Sequence, residues 1–217
     1  SFLETGRARP SRDMVQRLGD ALGLPLDARN QLLTHAGFAV RYNGRTWSDS
    51  AMAPIRKAID HLLAQHMPFP ALALDRHWNI KDANLTALNL FSALGLKRGT
   101  SLLDFILSAS FPSMIQNWPE VAHHTSLRLR TESVAQGGTR VLDRAAEILS
   151  RVPKSDDVDT GPVLATVLSI GDIRLSMFAT LSQFGTPEDV TLDDLKIEHY
   201  FPLDDVTEQV FNQFSKG

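Results

Sequence analysis

The sequence contains no cysteine. Disulfides, thiolate metal sites and a cysteine nucleophile are therefore excluded, and the chain suits a reducing compartment such as the cytoplasm. No apolar run approaches the ~18–20 residues of a membrane-spanning helix, so no membrane partner is expected. There is no His-x-x-x-His pair with a carboxylate, no Gly-rich phosphate loop and no nucleophile elbow. His123 and His124 are adjacent, but neighbours on a helix point about 100° apart and do not share one site. An enzyme is not expected, and no cofactor or metal is implied.

What is present is an apolar fraction of 43% over 217 residues, enough for a real core in one large domain or two small ones. Charge is uneven. Residues 1–46 carry seven arginines against four acids, a balance of +3, and the remainder carries −6. A basic head on an acidic body points to a nucleic-acid contact confined to the first segment, a solvated surface being the alternative.

Ser1–Thr5 reads as the last turn of a helix stopped by Gly6, and the chain reads as a fragment lacking an N-terminal part. Ser11 is an N-cap candidate for a helix carrying Met14, Val15, Leu18, Ala21 and Leu22 as an apolar stripe. Pro25 opens a second helix, Leu26–Ala36, with Leu32, Leu33 and Ala36 inward. After a polar connector, Ala51–His66 reads as a helix with Ile55, Ala58, Ile59, Leu62 and Leu63 on one face.

His66–Asn84 organises the rest. Pro68 and Pro70 force an extended start. Two strands are expected, Ala71–Leu74 and Trp78–Lys81, around a polar turn at Asp75–His77. Asn84 then caps a helix at Leu85–Leu94. Ser101–Leu107 reads as a short helix, Phe111-Pro112-Ser113 as a bend, and Asn117–Ala135 as a long helix with Pro119 in its first turn. Thr139–Arg151 is a further helix with Val141, Leu142, Ala145 and Leu149 inward, and Ser155–Gly161 an acidic, flexible turn. Val163, Ala165 and Val167, then Ile173, Leu175 and Met177, alternate around Gly171-Asp172, which predicts a β-hairpin. Gly185–Asp189 is read as a loop, Leu195–Phe201 as a last strand and Asp204–Phe214 as a C-terminal helix.

Ser-Phe-Leu-Glu-Thr-Gly-Arg-Ala-Arg-Pro-Ser-Arg at the start resembles the back half of an Xre-type helix-turn-helix. The resemblance implies contact with double-stranded DNA in the full-length protein. Thr5, Arg7, Arg9, Ser11 and Arg12 would face the phosphates, since a capped helix start offers N–H groups to an anion. Most base-reading residues of such a domain would precede Ser1, so this chain by itself should bind an operator weakly or not at all.

His66-x-Pro-Phe-Pro-Ala-Leu, Asp75–Asn79, Asn117–Ala122, Phe184–Thr191 and Phe201–Asp204 together resemble the ligand-binding domain of MmyB-like transcription regulators. That resemblance implies a PAS-like fold, a bacterial one-component regulator and a lipophilic ligand, with fatty acids as the suggested class. The fold expected is α/β (α+β). A truncated helix-turn-helix remnant (1–46) and a connecting helix (47–66) precede a PAS-like domain (67–217) with a five-stranded antiparallel sheet. Such a regulator is expected to be a homodimer, because its operators are paired half-sites.

An acyl chain needs adaptable apolar walls. The candidate lining is Leu72, Leu74, Trp78, Ile80, Leu88, Phe91, Phe105, Phe111, Met114, Trp118, Ala122, Met177 and Phe178. The alternative is that these side chains simply fill a core. An acid head group would need a polar anchor, drawn from Arg76, His77, His123, Arg128 and Arg130; Arg128 is included in the candidate site. A ligand-free PAS-like dimerisation or protein-interaction module is the competing function.

Overall fold

The computed structural model describes residues 9–154, 162–185 and 187–216. Thr5 and Arg7, the helix end read at Ser1–Thr5 and the acidic turn at Ser155–Gly161 lie outside the described residues.

Ser11 caps α1 (Arg12–Ala21), its hydroxyl accepting from the Met14 N–H at 3.2 Å. α2 (Leu26–His35) follows. The stripe expected on α1 is only half used. Val15 is buried, whereas Met14, Leu18 and Leu22 are exposed. A pair of helices buries one side of each, and α2 takes the side bearing Val15 and Gly19.

All five strands are antiparallel, in the order β2-β1-β5-β4-β3. They are β1 (Ala71–Leu74), β2 (Ile80–Ala83), β3 (Thr166–Ile170), β4 (Ile173–Gln183) and β5 (Lys196–Pro202). Side chains alternate across a strand, and β1 divides accordingly. Leu72 and Leu74 enter the large core, while Ala71 and Ala73 meet Ile59 and Leu63 of α3 (Ala53–Gln65) together with Leu195 and Ile197. Ile55, Ile59 and Leu63 repeat every four residues and make the stripe of α3. Ala58 and Leu62, expected inward, are exposed, because a sheet face meets only a narrow strip of a helix.

The large core lies on the other face, beneath α4 (Leu85–Ser92), α5 (Leu102–Ile106), α7 (Trp118–Ala135), α8 (Arg140–Ser150) and α10 (Asp205–Phe214). Leu90, Leu129, Leu142 and Phe211 are fully buried there, and each such side chain contributes about 1.5–3 kcal/mol. Asn84 caps α4 as expected, accepting from the Ala87 N–H at 3.0 Å. The Gly171-Asp172 turn also falls where alternation placed it, with Gly171 at φ +56°.

Several expectations are corrected. The second strand is Ile80–Ala83, not Trp78–Lys81. The Asp75 carboxylate accepts from the N–H groups of His77 and Asn79, both at 2.9 Å, which prolongs the turn and leaves Trp78 at φ +64°. In β3 the buried residue is Leu168, paired with Leu175, so Val167 takes the less buried side and Val163 precedes the strand. Apolar residues of both parities occur there, and pairing with β4 decides between them. Phe111–Met114 is a one-turn helix, α6, rather than a bend, and α9 (Val190–Asp193) is a turn of helix after the expected loop. Val141 of α8 is exposed, Leu142, Ala145, Ala146 and Leu149 filling the inner face.

Candidate functional site

A cavity of about 430 Å³ opens between the sheet and helices α4 to α7, within the range of ligand pockets. Phe105 and Phe111 form part of its wall, ring centroids 5.1 Å apart and edge to face. Phe91, Leu102, Ile115 and Val121 add apolar surface, and Leu168 and Met177 come from the sheet. The loop before α7 is fastened to the sheet edge by Asn117. Its side-chain oxygen accepts from the Val167 N–H at 3.1 Å and its amide donates to the Ala165 carbonyl at 2.7 Å.

One end of the cavity is polar. β5 places Lys196, Glu198 and Tyr200 on the same face by alternation, and α7 supplies Arg128 and Glu132 one turn apart. Arg128 donates from Nε to Glu132 at 2.8 Å and from its Nη2 to Glu198. Lys196 pairs with the other oxygen of Glu132. The Tyr200 hydroxyl donates to Glu198 at 2.6 Å. Trp78 closes the row. Its indole N–H donates to Glu132 at 2.8 Å, and the Arg128 guanidinium and the Lys196 ammonium lie 4.4 and 4.3 Å from its ring centroid. A bulky residue at positive φ is strained by about 1–3 kcal/mol. Here the turn at Asp75 and this polar row hold Trp78 in place.

Burial raises the cost of ionising Glu132 and Glu198, yet the cations beside them hold both carboxyls below the usual range. Burial likewise opposes the charge on Arg128, and Glu198 and Glu132 more than restore it. Burial pulls Lys196 down despite Glu132. Tyr200 is pushed well up, by burial first and then by Glu198.

The same row borders a second cavity, of about 590 Å³. Glu132 and Lys196 line it together with Leu24, Pro25, Arg29, Glu188, Asp193 and Asp194. Here α2 docks onto the body. Pro25 offers α2 no side-chain cap, and the free Leu26 N–H donates to Asp193 at 2.7 Å. Arg76 bridges Asp27 at 2.9 Å and Asp194 at 3.4 Å. Burial pushes the Asp194 carboxyl up to about 6; Arg76 opposes this, and Asp193, Asp27 and Asp75 add to it.

Of the candidate lining residues, Trp78, Phe91, Phe105, Phe111, Met177, Phe178 and Arg128 border the apolar cavity. Alternation turns the Phe178 ring away from Met177, and it stacks on its cross-strand partner Phe201 at 5.3 Å. Leu72, Leu74, Ile80 and Ala122 are buried in the core without reaching the cavity. Leu88, Met114 and Trp118 pack against that core, Trp118 edge-on to Phe111 at 5.6 Å. Arg76 is engaged at the α2 junction, His77 is exposed in its turn, and Arg130 is exposed on α7. His124, not His123, borders the cavity. Glu198 and Tyr200 escaped sequence reasoning, although the alternation Lys-x-Glu-x-Tyr through an apolar strand was the available signal. Of the proposed DNA-facing residues, Arg9 and Arg12 are exposed, and Ser11 is spent partly on its own helix.

A family model described as MmyB-like transcription regulator ligand binding domain matches residues 55–213, which take in the whole apolar cavity and its polar row. No curated protein matches the chain.

Proposed function

The chain belongs to the family of MmyB-like transcription regulator ligand-binding domains, and on that premise we propose that it senses a lipophilic small molecule for a bacterial one-component regulator. The guest, a fatty acid or similar amphiphile, occupies the apolar cavity and leaves unchanged, without catalysis. The single observation that carries this reading is a cavity of about 430 Å³ walled by rings and branched side chains. Burying a guest's methylenes there contributes about 0.8 kcal/mol each.

The strand order β2-β1-β5-β4-β3 supports a PAS-like fold. The capped α1 and the following α2 are compatible with the end of an Xre-type helix-turn-helix, which would hold double-stranded DNA in a cytoplasmic homodimer. Coupling requires that the guest bind two arrangements with different affinity. The row from Glu198 through Arg128 and Glu132 to Lys196 runs from the guest's cavity to the cavity beside α2, so a shift at one end is felt at the other.

The test is mass spectrometry of organic extracts of the protein purified without added ligand, followed by operator shift assays on a longer chain carrying the complete helix-turn-helix. A co-purifying lipophile that alters operator affinity is expected. Repeatedly empty extracts, with no binding of added alkyl compounds, would leave a ligand-free interaction module.

A further inference from the structure

We propose that the segment 189–194 around α9, rather than the connecting helix α3, couples the guest's cavity to the N-terminal helices. This rests on the reading that a guest in the apolar cavity acts on those helices. The two routes differ in what they bond. Among the described residues no hydrogen bond or ion pair joins α1 or α2 to α3. α3 bonds the far end of the connector, where Arg56 donates to the Trp47 and Asp49 carbonyls. The α9 segment bonds α2 itself, the Leu26 N–H donating to Asp193 at 2.7 Å. It also bonds the middle of the connector. The Val190 N–H donates to the Asn43 carbonyl at 3.0 Å, and Thr191 Oγ1 to the Arg45 carbonyl at 2.6 Å. Arg45 in turn donates from Nη1 to Asp189 at 3.0 Å, a carboxylate whose side chain is only 4% exposed. Asn30 closes the circuit. Its side-chain oxygen accepts from the Arg41 and Tyr42 N–H groups, both at 3.0 Å, and its amide donates to the Tyr42 carbonyl at 2.7 Å. α2, the connector and α9 therefore form one closed ring of hydrogen bonds.

The other end of the segment is β5. Soon after Asp194 the chain reaches Lys196, which pairs with Glu132 and heads the alternating row that ends at Glu198 and Tyr200 in the cavity wall. Hydrogen bonds weaken steeply once stretched, so a shift of β5 either carries the ring with it or breaks it. Packed elements and bonded networks of this kind are what transmit coupling between sites. The route through α3 has no equal hold. The connector that joins α3 to α2 is itself pinned to the α9 segment at Asn43 and Arg45, so a movement of α3 meets that anchor before it reaches α2.

The experiment follows amide hydrogen exchange at Leu26, Arg45 and Val190 in the full chain, because the N–H groups of all three are donors in the ring. Its first arm needs no guest. Asp189→Ala should speed exchange at Leu26, to which Asp189 makes no hydrogen bond, about fivefold. Arg56→Ala, which loosens α3 from the connector, should change it by less than about twofold. Thr191→Val removes one hydroxyl from the ring and should act in the same direction as Asp189→Ala, so the arm stands even where Asp189→Ala fails to fold. In the second arm, decanoate should shift exchange at Leu26 about twofold or more in the wild type and in Arg56→Ala, and not in Asp189→Ala or Thr191→Val. Leu26 exchange unmoved by the ring variants, or moved as much by Arg56→Ala, would overturn the inference while leaving the cavity a ligand site. So would decanoate that slows exchange at the cavity wall around Phe105 and leaves Leu26 as it was. Failure of decanoate to bind the wild type would overturn the ligand reading and the inference with it.

Discussion

On one side of the Arg128–Glu132–Lys196–Glu198 row the molecule presents Phe91, Phe105, Phe111 and Met177. On the other it presents Glu188, Asp193 and Asp194 with Arg29. The two sides also differ in how each holds a buried carboxylate. Glu198 is buried and doubly bonded, and its carboxyl is held low by Arg128 against burial. Asp194 has a longer contact, 3.4 Å, to an arginine it shares with Asp27, and burial wins there. A buried carboxylate stays charged when a close cation and a second donor are bonded to it, as at Glu198, and drifts toward neutrality when its cation is distant and other carboxylates crowd it, as at Asp194. The first arrangement ties β5 to α7, and the second ties α2 and Arg76 to the C-terminal end of α9.

The largest expected effect breaks the first tie. Arg128→Ala strands Glu198, and denaturant unfolding should show a loss of about 3 kcal/mol. Arg76→Ala should cost only about 1 kcal/mol, since Asp27 is partly exposed and Asp194 can take a proton. Equal losses would abolish the distinction. Next, Thr125→Trp fills the apolar cavity, and alkyl-probe titration should show binding about tenfold weaker, with stability within about 1 kcal/mol of wild type. Asp193→Ala removes the borrowed cap of α2 and should cost that contact about 1 kcal/mol, read as faster amide exchange at Leu26 and its neighbours with probe binding unchanged.

The smallest effect concerns pH, and the two regions oppose one another. The Asp194 carboxyl is raised from 3.8 to about 6, so the folded chain binds the proton more tightly than the unfolded chain. Its contribution is present at low pH and is lost as pH rises through about 6. Glu132 and Glu198 are lowered, so theirs is present above the ordinary 4.5 and lost as pH falls below it. Unfolding curves between about pH 4 and 6.5 should show a decline of less than about 1 kcal/mol that Asp194→Asn flattens.

Much of the fold was legible. Caps at Ser11 and Asn84, the Gly171-Asp172 turn and the helical spacing of Leu142, Ala145 and Leu149 are local signals, and each stands where the residues placed it. Less of the candidate site was legible. Aromatic content marked Phe105 and Phe111, yet equally apolar Leu72 and Ala122 lie in solid core. Composition cannot tell a wall from a filling, because both need the same side chains. The parity of Val167 and Leu168 was open for a similar reason, since a strand with apolar residues on both sides takes its register from its partner.

The sequence alone determined which segments could be helix or strand, that thiol chemistry is absent and that a basic head precedes an acidic body. These follow from neighbours along the chain and from counting. Only the tertiary structure decided that Arg128 is already taken, that Asp193 caps a helix 167 residues away and that one polar row divides two cavities. Such facts depend on β5 and α7 meeting in space, and charge pairing across that contact is a property of the assembled fold.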